Sequence, residues 1–97
     1  MTEEVIHQPD ESRFIIRLHE DQEPAFLAYI VSDTDKVYDL NHTYTPPALR
    51  GKGVAAKLVK HATSFAREKG YKIIPTCSYV AVYMERHPED KDVLRVE

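Results

Sequence analysis

Two glycines stand two positions apart between cations in Arg50-Gly51-Lys52-Gly53, and a run of good helix formers follows at once. The first N–H groups of a helix have no partner within it, and the helix dipole adds positive potential there. Glycine at that mouth lets an anion come close to the backbone, and Arg50 and Lys52 add charge around it. A pyrophosphate is the natural guest; the same residues also serve as a plain strand-to-helix turn. Two familiar phosphate loops are excluded. The Walker spacing G-x-x-x-x-G-K-[ST] is absent, and G-x-G-x-x-G fails at its third glycine, where Ala56 stands. Elsewhere His42, as a histidine, is either a candidate base or a structural hydrogen bonder. Cys77, the one cysteine, opens a second expected helix. A helix N-terminus can activate a thiol, whereas a buried lone cysteine is a small hydrophobe.

These groups need a scaffold. Residues 13–18 and 25–31 have the length and β-branched content of two strands, joined as a hairpin by 19–24. Ser32-Asp33-Thr34-Asp35 is a turn, and 36–44 is a third strand. Its alternation sets Tyr38, Leu40, His42 and Tyr44 on one face, with Val37, Asp39, Asn41 and Thr43 on the other. Pro46 and Pro47 end it. A helix starts after Gly53, with Val54, Ala55, Leu58, Val59, Ala62, Phe65 and Ala66 on its apolar face and Gly70 as its left-handed cap. Residues 71–76 form a strand and 78–87 a helix that Pro88 stops, with Val80, Ala81, Tyr83 and Met84 on one face. The tail from Asp90 frays or adds a short edge strand. The unit 36–76 is long enough for a parallel crossover. Because antiparallel strands precede it, the expected fold is α+β, with a mixed, mostly antiparallel sheet.

At 97 residues one domain spanning 1–97 is expected. No apolar run is long enough to cross a bilayer, and the acidic start does not read as a signal peptide. A single cysteine excludes an internal disulfide and fits a reducing, cytoplasmic setting. The net charge of −3 conceals an asymmetry. Residues 1–49 hold ten acids against three bases, while 50–72 hold seven bases against Glu68 alone. Such an island is a solvated helix face or a site for a local anionic partner. Nucleic acid is a poor fit, because that face lacks interleaved aromatics and the chain is negative overall.

The stretch Arg50-Gly51-Lys52-Gly53-Val54-Ala55 resembles the R/Q-x-x-G-x-G/A signature of the GCN5-related N-acetyltransferase (GNAT) superfamily. Pro47-Ala48-Leu49 resembles that superfamily's lead-in. The flanks His42-Thr43, Pro46-Pro47, Ile73 to Val80 and Tyr83-Met84-Glu85-Arg86-His87-Pro88 are similar to its minimal, YjdJ-type members. The likeness is close over 36–88 and loose before that.

The resemblance implies a minimal GNAT-like fold and transfer of an acetyl group from acetyl-CoA to an amine acceptor. The backbone of Arg50, Gly51, Lys52, Gly53, Val54 and Ala55 would hold the pyrophosphate of coenzyme A. Tyr44 and Thr45 would flank the pantetheine arm, and the thioester would lie where the strands 36–45 and 71–76 part. His42 becomes a candidate base, Cys77 a candidate acyl carrier and Tyr83 the candidate acid, unless Tyr83 is simply core. Members of this type commonly carry an acid where Tyr44 stands, which weakens a carboxylate-base mechanism here. No metal is called for. Only 19–24 separate the first two strands, so helices that shape an acceptor pocket have no room. The acceptor side should be open, suited to an unspecific or macromolecular amine or to completion by a protein partner or weak homodimer. A competing reading keeps the fold as an acyl-CoA-binding module with little or no turnover.

Overall fold

The computed structural model describes residues 4–17 and 22–95. Five strands form one sheet in sequence order: β1 (Ile6–Gln8), β2 (Arg13–Ile16), β3 (Ala25–Ser32), β4 (Val37–Tyr44) and β5 (Lys72–Ile74). The first four pair antiparallel, and β5 joins β4 in parallel. The connection between β4 and β5 is helix α1 (Val54–Lys69), and α2 (Ser78–Arg86) follows β5. The α+β sheet expected from the sequence is therefore the one observed. The second strand stops at Ile16, two residues short of the expected end; Leu18 and residues 19–21 of the expected hairpin connection lie outside the described residues.

Helix α1 builds the core. Val54, Leu58, Val59, Ala62, Thr63 and Ala66 are buried, with Ala55 and Phe65 half-buried beside them. Thr63 enters this apolar face without penalty because its hydroxyl donates to the Lys60 carbonyl at 2.7 Å. Gly70 adopts φ 75 and returns its N–H to the carbonyls of Ala66 and Arg67, the left-handed cap that ends the helix. On α2, Val80, Tyr83 and Met84 join the same core, whereas Ala81 is half-buried.

Two features are not visible in the sequence. Strand β1 is only three residues long, below the length at which alternation is readable. Its inward residue, His7, stacks on Phe14 at 4.4 Å and shares a 2.6 Å hydrogen bond with the Tyr29 hydroxyl. The tail neither frays nor forms a full strand among the described residues. Pro88–Val93 is a 3-10 helix held to α1 by Arg67, which pairs with Asp92 at 2.7 Å and Asp90 at 3.0 Å, and Leu94 then makes one bridge to Ile73.

The alternation expected along β4 is broken. Ala28 faces His42 but Tyr29 faces Leu40, so Asn41 bulges out without a partner. A bulge adds one residue, and every later side chain then meets the face opposite to the one a strict count gives. Tyr38 and Leu40 point into the core as expected. His42 and Tyr44 do not: they lie on the outer face with Phe26, at ring separations of 5.6 and 5.7 Å. Thr43, expected outside, takes the core side opposite Leu27.

Candidate functional site

The glycine loop is assembled from both ends. β4 closes at Tyr44, and a 3-10 turn over Pro47–Leu49 drives Leu49 fully into the core. That anchor fixes where the chain re-emerges. Arg50 then folds back so that its Nε donates to the Thr45 carbonyl at 3.1 Å, closing the turn. Gly51 and Gly53 take φ 80 and 70, a left-handed backbone that other residues adopt only at a cost of about 1–2 kcal/mol. A Cβ added at either would meet no atom within 4 Å. Steric crowding is thus not what selects glycine here; backbone conformation is.

Gly53 caps α1 with no side chain, and the first bond of the helix runs from Lys57 N–H to the Gly53 carbonyl at 3.2 Å. The amides ahead of Lys57 lack intrahelical partners. They open on a cavity of about 220 Å³ lined by Thr45, Leu49, Arg50, Gly51, Gly53, Val54, Ala55 and Tyr79. Lys52 is exposed beside it and does not line it. Tyr44, expected at the cofactor, is turned away to the outer face against Phe26 and does not line it. An anion set against unpaired amides, in a bay with an arginine, is the arrangement a pyrophosphate requires.

A second cavity of about 240 Å³ adjoins the first through Tyr79 and runs along α2 past Ala56, Val82, Tyr83, Arg86 and His87. Tyr79 thus stands where the two meet. Sequence alone assigns it no role: it lies within the family-like stretch Ile73 to Val80, but off the apolar face of α2.

The strands part just before α2 begins. β4 and β5 stay in register from Val37 opposite Lys72 to Asp39 opposite Ile74. The Cys77 N–H then bonds the Leu40 carbonyl at 2.9 Å, after which α2 leads the chain away. Beyond Leu40, β4 keeps β3 on one side and loses its neighbour on the other. An extended ligand could pair with that free edge.

Cys77 stands at this fork as the N-cap of α2, with its Sγ 3.6 Å from the Thr43 hydroxyl. Burial by itself would raise the thiol pKa. The Thr43 hydroxyl and the nearby amides of Val80, Tyr79 and Thr43 outweigh it and hold the pKa below the ordinary value, although no amide makes a side-chain cap bond to Sγ. Tyr83 is 7% exposed, its ring stacked on His87 at 3.8 Å. Burial, followed by the charges of Asp90 and Glu89, raises its pKa, so it stays protonated at neutrality. His42 is exposed on the far side of β4. The structure therefore joins Cys77 to Thr43 and places Tyr83 in the neighbouring groove, with His42 on the opposite face of the sheet.

A family model for the GCN5-related N-acetyl-transferases matches residues 13–93. Protein NATD1 of Xenopus tropicalis is 36% identical over 84 residues, covering 87% of this chain and 76% of that protein. The human protein of that name is 34% identical over 84 residues, covering 87% and 74%. Among solved structures, the NMR solution structure of a GCN5-like protein from Staphylococcus aureus superposes with a TM-score of 0.76 at 30% identity, covering 98% of this chain and 91% of that one.

Proposed function

The chain belongs to the GCN5-related N-acetyltransferase family, and from that premise we propose that it transfers an acetyl group from acetyl-CoA to an amine. The observation that carries the reading is the pair of left-handed glycines at the uncapped mouth of α1, opening on the bay beside Thr45. The amides from Gly51 to Ala55 would hold the pyrophosphate, that of Arg50 being already given to the Pro47 carbonyl at 3.3 Å, and the edge of β4 beyond Leu40 would run beside the pantetheine arm. Acetyl-CoA supplies the activated acyl thioester when bound. The chain itself supplies a thiol of lowered pKa at the fork and a protonated phenol on α2. The Cys77 thiol is suited to accept an acyl group, and the phenol to give up a proton.

Titration with acetyl-CoA, followed by amide shifts in NMR and by intact mass, tests this. Shifts centred on residues 45–56 are expected, together with one acetyl group that is lost in Cys77→Ala. No shifts at near-millimolar ligand would reduce the loop to a turn and remove the reading. Shifts with neither acetylation nor transfer to any amine would support an acyl-CoA-binding module instead. The position of His42, exposed and across the sheet from Cys77, favours that alternative over a His42-based mechanism.

A further inference from the structure

The outer face of the sheet, opposite α1, is bare of helices among the described residues, and Ile30 on it is 62% exposed. It carries two cross-strand rows. One is aliphatic and aromatic: Ile15 is sealed between its register partners Ile6 and Phe26. The other has an acid at its centre. Asp39 lies in register with Ile30 on β3 and with Ile74 on β5.

That carboxylate is out of place on stability grounds. Its Oδ1 is buried, and no donor among the described residues reaches it. Buried polar atoms are nearly always paired, and an unpaired one costs about 1–3 kcal/mol, more when charged. Flanking isoleucines cannot help. Oδ1 itself is closed to solvent, but the residue as a whole is only half-buried, so a ligand would meet the carboxylate through its other oxygen. Asp39 is also the last residue of β4 to pair with β5, immediately before the Leu40 carbonyl that takes the Cys77 N–H. It therefore stands at the throat of the fork, on the side away from α1.

A carboxylate whose buried oxygen has no donor to offset its charge, set between aliphatic side chains, selects a ligand with a positive head and an apolar stem. We propose that Asp39, between Ile30 and Ile74, receives the ammonium group of the acceptor, and that the acceptor class is aliphatic primary amines with an alkyl stem. The word acceptor rests on the transferase reading above; the binding of an alkylammonium ion does not.

The experiment is an NMR titration of the full chain with n-butylammonium chloride, with 1-butanol as the uncharged match and sodium chloride as the ionic control. Butylammonium should shift the amides of Ile30, Asp39 and Ile74, and butanol should not. Asp39→Asn, nearly isosteric, should weaken butylammonium binding by at least about tenfold, or about 1.4 kcal/mol, while acetyl-CoA affinity holds within about twofold. Equal binding of butanol, or unchanged binding in Asp39→Asn, overturns the proposal. So does a clear fall in Tm for Asp39→Asn, which would make the carboxylate structural. If acetyl-CoA shifts nothing in the wild type, the transferase reading fails separately, since its signals lie at residues 45–56.

Discussion

The two halves of the site are built from different materials. The loop at the mouth of α1 is made of backbone: left-handed glycines, unpaired amides, and an arginine turned back on the carbonyl of Thr45. The fork between β4 and β5 is made of side chains, and their directions are set by one extra residue, Asn41. Backbone sites announce themselves locally, because glycine spacing is written in consecutive letters. A side-chain site depends on pairing with strands far away in the chain, which no short stretch records.

Removing the bulge in two ways attacks the second half directly. Inserting an alanine between Ala28 and Tyr29 would give Asn41 a partner and make the pairing regular. It would also turn the buried Ala25 and Leu27 outward with Thr43, and force His42 and Tyr44 toward the core. A loss of about 3–5 kcal/mol in denaturant unfolding is expected, the scale of a major core defect. Deleting Asn41 also makes the pairing regular, yet leaves every later side chain on its present face. It should cost only about 1 kcal/mol. If the two variants unfold alike, the register of β3 on β4 is set elsewhere.

The loop is tested by a matched pair of glycines. Gly53→Val places a β-branched residue at φ 70 and should cost about 1–2 kcal/mol while reducing acetyl-CoA affinity by at least about tenfold. Gly70→Ala strains a similar conformation, φ 75, at the other end of α1. It should lose comparable stability and leave acetyl-CoA affinity unchanged. If both variants bind acetyl-CoA equally well, the loop's conformation is not what the ligand reads.

The same contrast decides what is legible in the sequence. The apolar stripe of α1, the Gly70 cap and the stop at Pro88 are local signals, and all three stand in the structure where the sequence puts them. The faces of His42, Thr43 and Tyr44 come out reversed, because a period of two carries no mark where it is interrupted. β1 escapes notice for want of length, and its burial of His7 depends on Phe14, Phe65 and Tyr29 from three other elements. Tyr79 and Asp39 gain significance only from what surrounds them.

His7 offers a pH test confined to β1, the edge of the sheet opposite β5. Burial, followed by the charges of His61 and Lys69, lowers its pKa below the ordinary 6.5. The neutral ring is therefore the form the fold favours. Stability should be fully present above about pH 6.5 and fall as pH drops from there toward the folded pKa, since the unfolded chain then binds more protons. His7→Phe should flatten that part of the profile. A profile unchanged by the substitution would assign the acid sensitivity to other groups.

The smallest effect concerns the pairing of Thr43 with Cys77, which exists only because the bulge at Asn41 turns Thr43 inward. Thr43→Val keeps the shape and removes the hydroxyl. With that hydrogen bond gone, burial counts for more, and the thiol pKa should rise. Reaction with iodoacetamide at neutral pH should slow by roughly threefold, because less of the thiol is then ionised. Thr43→Ser should preserve the rate, because the hydroxyl rather than the methyl group does the stabilising. If the valine and serine variants behave alike, the backbone amides of Tyr79, Val80 and Thr43 are what lower the thiol pKa, and the fork resembles the loop in being built from backbone.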